Sequence, residues 1–365
     1  MRRPAFHFIA IALLLGAIAA AAHAPASSDR EIYERIGRQV VDLDCHDVHC
    51  FRVLAAVAIE HLPGPSLFKW KAYAVLGGAA AALAVGRLCI VLGLSGRLAI
   101  LATWIAATGF GPLQTVFDPY TSDPLMYLLG PVMMADLLEN RIARAGAIGA
   151  VGVLAKEFAA VPLWMFTLMA GLQRRGDLAI RAALAASTAT LVWLALQTLL
   201  LTLYNYSYGG NPSVNLLGGG YFAVWVGAIG WPRAAALLFA TFGPLYLLMA
   251  AGLFRARQPL GLIALCSLPA VAAFAYVQQP DRALCNFQFV VIPLAVLTLG
   301  VLPDWLCGVF VVSFGIANLR LGAPQPDVLR WLRIVMLAIS VVVALYAVAA
   351  MLKQSRDDVR DGTPA

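Results

Sequence analysis

Charge is scarce in this chain. Asp, Glu, Lys and Arg together make up 12% of its 365 residues, against 61% hydrophobic residues. A soluble protein of that size needs polar cover for its exterior, so a soluble globular fold is excluded. Histidine is scarcer still: five residues, none after His61, so the body of the chain cannot assemble an imidazole metal centre. The alternation expected of barrel strands is missing. No internal repeat stands out, and no stretch is left over for a soluble domain. The net charge of +7 does not point to nucleic acid, because arginines in so apolar a chain are better read as topology signals.

What the chain does have is apolar runs of about 15–22 residues, recurring along its length and matched to a hydrocarbon core of ~30 Å. Backbone polar groups in lipid must be satisfied internally, so these runs predict helices. The expected fold is all-α, a polytopic transmembrane bundle of about 10–12 helices. After a first helix, the candidate spans are 70–93, 98–114, 124–139, 144–156, 158–173, 180–202, 233–253, 259–277, 287–302, 304–318 and 331–352. Residues 1–352 read as one transmembrane domain, 25–66 as its first outer loop and 353–365 as a disordered cytoplasmic tail.

"MRRPAFHFIAIALLLGAIAAAAHAPA" is either a retained first helix or a signal peptide with Ala22-His23-Ala24 as its cleavage site. The length of the apolar stretch favours retention, and both readings put the following residues outside. Arg97, then Arg141 and Arg144, then Arg174, Arg175 and Arg181, then Arg255 and Arg257, then Lys353 and Arg356 mark alternate loops as cytoplasmic. The pattern is weakest at 303–330, where "VLPDW" has no basic residue and the presumed outer loop carries Arg320 and Arg330.

In the first outer loop, "SDREIYERIGRQVVDL" is amphipathic: Ile32, Ile36 and Val40 share a face with Tyr33 alongside, while Arg30, Glu34, Arg35 and Arg38 cover the other. "CFRVLAAVAIEHL" predicts a second helix. Both fit helices lying on the membrane surface or forming a cover over the bundle. Between them, "DLDCHDVHC" carries Cys45, His46, His49 and Cys50. An oxidising compartment favours a Cys45–Cys50 disulfide. Unpaired cysteines and a zinc site stay open, although neighbouring Cys-His pairs point apart and suit tetrahedral coordination poorly.

The carboxylates Asp29, Glu31, Asp118, Asp123, Glu157 and Asp281 fall at predicted outer helix ends or loops, with Arg52, Lys156 and Arg282 as candidate basic partners. Lys156-Glu157 interrupts "AGAIGAVGVLAKEFAAVPLWMF", where ionisable groups are costly and face a cavity or a partner. A buried ion pair or a tight turn explains the same pattern. Asp123-Pro124 also reads as a helix start.

"DREIYERIGRQVV" is similar to the D-E-x-x-Y-x-x-I-A pattern in the first outer loop of the GT-C class of integral-membrane glycosyltransferases. "CFRVLAAVAIEHLPGPSLFKWKAYAVLGG" resembles the aromatic-Arg stretch that follows in bacterial members. "SDPLMYLL" through "LAKEFAAVPLWMF" resembles a T/S-D-x-L element followed by a segment ending in L-x-K-E, and "PDRALCNFQFVVIPLAVL" a later D-x-R…P element. The ordered set covers roughly half the chain. Arg30 departs from the family's acid, and the family's soluble C-terminal domain is missing, so the resemblance is to a compact member. It implies transfer of a sugar from a polyprenyl-phosphate donor to an acceptor hydroxyl at the outer face of the plasma membrane. Asp29, four residues before Tyr33, matches the family's catalytic Asp. Arg52, Asp118, Asp123, Lys156, Glu157 and Arg282 are the implied substrate-binding residues. A phosphate leaving group needs cationic stabilisation but no cofactor; divalent-cation binding by Asp29, Asp118 and Asp123 is left open. The expected partners are the lipid-linked donor and membrane lipid, with the acceptor unnamed. A transporter or flippase and a non-catalytic envelope scaffold are the rival readings.

Overall fold

The computed structural model describes residues 4–23, 25, 28–39, 45–208, 220–322 and 327–360, and among these there is helix and no strand. The protein is an all-α polytopic bundle. In chain order the helices are α1 (Pro4–Ala21), α2 (Ser28–Gln39), α3 (Val53–Glu60), α4 (Ser66–Val91), α5 (Gly96–Thr108), α6 (Phe110–Phe117), α7 (Asp123–Leu138), α8 (Ile142–Gly152) and α9 (Val161–Leu172). They continue with α10 (Gly176–Leu203), α11 (Gly220–Ile229), α12 (Trp231–Phe242), α13 (Leu245–Leu253), α14 (Leu260–Val277), α15 (Pro280–Cys285), α16 (Gln288–Leu299), α17 (Asp304–Asn318) and α18 (Asp327–Arg360). Short 3₁₀ turns at Val48–Phe51 and Glu157–Ala160 precede α3 and α9.

Six helical segments among the described residues are long and apolar enough to cross a membrane, and a seventh forms if α11 and α12, bent by 116°, are one broken span. The expected 10–12 are reached only when shorter apolar helices are counted with them. The candidate spans 144–156 and 158–173 become α8 and α9, with 11 and 12 residues. At 1.5 Å per residue these are ~16–18 Å long, against ~30 Å of hydrocarbon. By the same rise α7 is ~24 Å long, whereas the 26-residue α4 and 28-residue α10 reach ~40 Å. Short helices beside long ones leave a recess at the level where α7 starts and α9 begins.

Close packing of the bundle relies on small residues. A Cβ on Gly77 of α4 would lie 2.9 Å from Pro124, and one on Gly130 of α7 would lie 2.9 Å from the Phe289 ring. Helices in lipid gain attraction by close backbone approach, so glycine at these crossings is what brings α4, α7 and α16 together. The first helix belongs to the bundle: Ile11 and Leu15 are fully buried, and Lys71 Nζ donates to the carbonyls of Ala19 and Ala22 at 2.6 and 2.8 Å.

The basic loops gather at one end. Arg87 reaches Asp136 and Glu139 at 3.2 and 2.7 Å, Arg144 reaches Asp136 at 3.2 Å, and Arg255 meets Gln354 at 3.2 Å. Arg97 donates to the carbonyl of Gly300 at 2.9 Å and pairs with Asp304. The loop at 300–304 therefore lies at the basic end although it has no basic residue, its positive charge coming from Arg97. Arg320 lies at the opposite end, donating to Gln114 at 2.6 Å beside the backbone hydrogen bond from His23 to the Leu321 carbonyl. One expectation is corrected: α18 continues through the polar residues to Arg360, so 353–360 are helical, while 361–365 lie outside the described residues.

Candidate active site

The end opposite the basic loops is covered by α2 and α3. Tyr33 and Ile36 are buried on the inner face of α2, against a cluster that includes Trp70, Tyr120 and Phe51, so the amphipathic helix forms a cover over the bundle. Gly37 allows this, since a Cβ there would collide with Glu60 and lie 2.6 Å from the Ala56 carbonyl. Glu60 ties the cover to α4 by accepting from Lys69 Nζ at 3.0 Å and from Ser66 and Trp70 at 2.7 Å each. Glu34 on α2 accepts from the Tyr120 hydroxyl at 3.1 Å.

Cys45 and Cys50 form a disulfide, so the open choice at "DLDCHDVHC" resolves against zinc and against free thiols. The remaining cysteines, Cys89, Cys266, Cys285 and Cys307, are free and buried.

A cavity of about 440 Å³ lies beneath the cover. Asp29, Arg52, Lys156, Glu157 and Arg282 all line it, although they come from four separate stretches of chain. Asp123 sits at their centre, 2% exposed. Its Oδ1 pairs with Lys156 Nζ at 2.6 Å and its Oδ2 with Arg282 at 3.2 Å. Arg282 also reaches Asp29 at 3.8 Å, and Arg52 reaches Glu157 at 3.5 Å. Glu157 accepts a short hydrogen bond from Gln278. Asp123 is thus a buried counter-ion in the first turn of α7; the cap position falls on Ser122. Lys156-Glu157 lies at the break between the half-length α8 and α9, and the charges that interrupt the apolar run point into the recess. Both simpler explanations, a turn and a buried ion pair, are therefore true of the same residues.

Arg52 and Asp118 are among the buried groups with unspent capacity. Arg52 is 8% exposed, yet its Nε has no hydrogen-bond partner among the described residues. Asp118 Oδ1 is likewise buried and unpaired, and Asp118 does not line the cavity. Burial pushes the Asp118 carboxyl up to about 6; Arg282 opposes the shift, while Asp29 and Asp123 add to it. No group of three or more His, Cys, Asp or Glu side chains is placed to hold a metal ion among the described residues.

Sequence reasoning missed Trp193 and Phe274, with Gln197, Gln278 and Gln279, on the cavity wall, whereas Tyr208 and Tyr221 come from the Gly- and Tyr-rich stretch 204–222, whose pattern suits sugar stacking and plain flexibility equally. Tyr208 stacks on Phe51 at 4.6 Å and donates to Gln197 at 2.6 Å. Gln197, a polar residue in the apolar α10, carried a usable signal. Trp193 and Phe274 did not, because an aromatic in an apolar helix usually packs. Residues 209–219 of that stretch lie outside the described residues. Compared with known families and curated proteins, the chain matches no family model and no curated sequence.

Proposed function

We propose that this chain is an integral-membrane glycosyltransferase that moves a sugar from a polyprenyl-phosphate donor to an acceptor hydroxyl at the outer face of the plasma membrane. The observation that carries the reading is the convergence of Asp29 with Arg52, Lys156 and Arg282 on one cavity at the end of the bundle away from the basic loops. The GT-C resemblance and the positive-inside pattern support it independently.

The chemistry follows from what these groups can hold. Lys156 is neutralised by Asp123, and Arg282 is shared between Asp123 and Asp29. Arg52, with an unused N–H, is the cation best placed to accept a new anion. A lipid-linked phosphate entering between Arg52 and Arg282 receives the charge-assisted hydrogen bonds that its oxygens need on leaving. The Trp193, Tyr208 and Tyr221 rings offer flat apolar faces to the sugar, and Gln197 and Gln278 offer amides to its hydroxyls. Asp29 accepts the acceptor's proton as the new C–O bond forms at the anomeric carbon. The bond to the phosphate oxygen breaks with its electron pair on the phosphate.

The test is transfer from labelled polyprenyl-phosphate sugars by the purified chain in lipid. One observation favours the transporter reading instead: Tyr221, a cavity-lining residue, belongs to the sharply bent α11–α12 pair, and broken helices line transport sites. Movement of intact donor across a vesicle without a new glycosidic bond would decide for transport.

A further inference from the structure

The disulfide loop carries more than a staple. Asp47 and His49 both lie between Cys45 and Cys50, and His49 lines the cavity. Asp47 Oδ1 sits 2.6 Å from His49 Nδ1 and accepts the backbone N–H of His49 at 2.8 Å. Burial would raise the Asp47 carboxyl, but the hydrogen bonds from His49 and the charge of Arg52 hold it below its ordinary value. An ionised carboxylate is acceptor-only, so the proton of this contact belongs to Nδ1, and Nε2 of the neutral ring carries the lone pair. Nε2 faces Asp29 Oδ2 at 3.9 Å, both side chains being 18% exposed. Two proton acceptors thus look at one another across a gap that one proton, or one water, would close.

We propose that Asp47, His49 and Asp29 form a proton relay at the cavity wall, with His49 taking up the proton that Asp29 acquires. The use of this relay in sugar transfer rests on the reading above. Before reaction Arg282 pairs with the same Asp29 oxygen at 3.8 Å. Once the acceptor's proton sits on Asp29 that attraction is lost. The proton passes from Asp29 Oδ2 to His49 Nε2, which restores the carboxylate and gives an imidazolium stabilised by Asp47; water then removes it. The groups facing the ring are Asp29 and Tyr33 from α2, Asp47 and Arg52 from its own loop, Asp118 after α6 and Arg282 from α15. Tyr33, with its ring centroid 5.7 Å away, fixes the imidazole from the buried side.

The test uses the full chain in lipid nanodiscs, with His49→Gln against wild type and His61→Gln as the remote control. With labelled polyprenyl-phosphate sugar, His49→Gln should lower turnover by ~10²-fold while leaving the donor KM unchanged. It should also lose the decline of rate toward acid pH that a relay through neutral imidazole imposes, and recover activity with added imidazole. Full turnover, or a loss that imidazole does not restore, overturns the relay. If the wild type transfers no sugar, the functional reading fails, and ¹⁵N-histidine NMR still decides the relay. An Nδ1–H tautomer for His49 whose titration changes in Asp29→Asn supports it. A His49 signal indifferent to Asp29 overturns it.

Discussion

Lys156 and Arg282 hold the same carboxylate from different depths, and their loss should differ accordingly. Lys156 is 4% exposed and is the nearer partner of the buried Asp123. Lys156→Ala leaves a buried charge undercompensated and should cost about 3–5 kcal/mol of stability. Arg282, its side chain 28% exposed, also reaches Asp29, so Arg282→Ala should mainly weaken donor binding. Thermal unfolding in detergent alongside donor titration separates the two; equal destabilisation by both would contradict the assignment. Asp118 gives a pH test. Its carboxyl rises from an ordinary 3.8 to about 6, so the folded state binds this proton more tightly than the unfolded one. The contribution to stability is present below about 4 and is lost as pH rises through about 6. Asp118→Asn should therefore raise the unfolding temperature at pH 7.5 and change it little at pH 4. At this scale the charged residues were legible, because an ionisable group in an apolar segment needs a partner. His49 was not: as a residue type it suggested zinc, and only the placement of Asp47 and Asp29 gives it another role.

Elements set the depth and cover of the cavity. The amphipathic face of α2 and the helical "CFRVLAAVAIEHL" were readable as patterns, because burial of Tyr33 and Ile36 follows helical spacing. The break between α8 and α9 was readable only as an interruption. That both halves are too short to span alone depends on how their neighbours pack, which no local pattern encodes. The Cys45–Cys50 loop is small, so its loss should cost about 2 kcal/mol by chain entropy. Mass analysis of non-reduced peptides should show the link. Cys45→Ser with Cys50→Ser should leave the bundle folded while lowering sugar transfer, since the loop carries Asp47 and His49. Unchanged transfer by the double variant would separate the loop from the site.

The whole molecule is polarised, with arginine-rich loops at one end and the covered cavity at the other. The basic loops marked in the sequence gather at the end away from the cavity, and the 300–304 loop joins them through Arg97 on Gly300 and Asp304. What the sequence left open was convergence: five site residues from distant segments meet at one cavity through glycine-mediated crossings that hydropathy does not register. The account puts the cavity end outside. Cysteine at Leu62, an exposed residue beside the cover, should react with an impermeant thiol reagent in intact cells. Cysteine at Arg174 should react only after lysis. The central claim, sugar transfer with Asp29 as base, is tested most directly by transfer from labelled polyprenyl-phosphate sugars to an envelope extract, comparing wild-type chain with Asp29→Asn in lipid. The account predicts transfer by the wild type and a ~10²–10⁴-fold loss of turnover in the variant, with donor binding retained. Near-normal transfer by a folded Asp29→Asn protein would contradict it, because Asn keeps the shape of Asp29 in the first turn of α2 but takes up no proton.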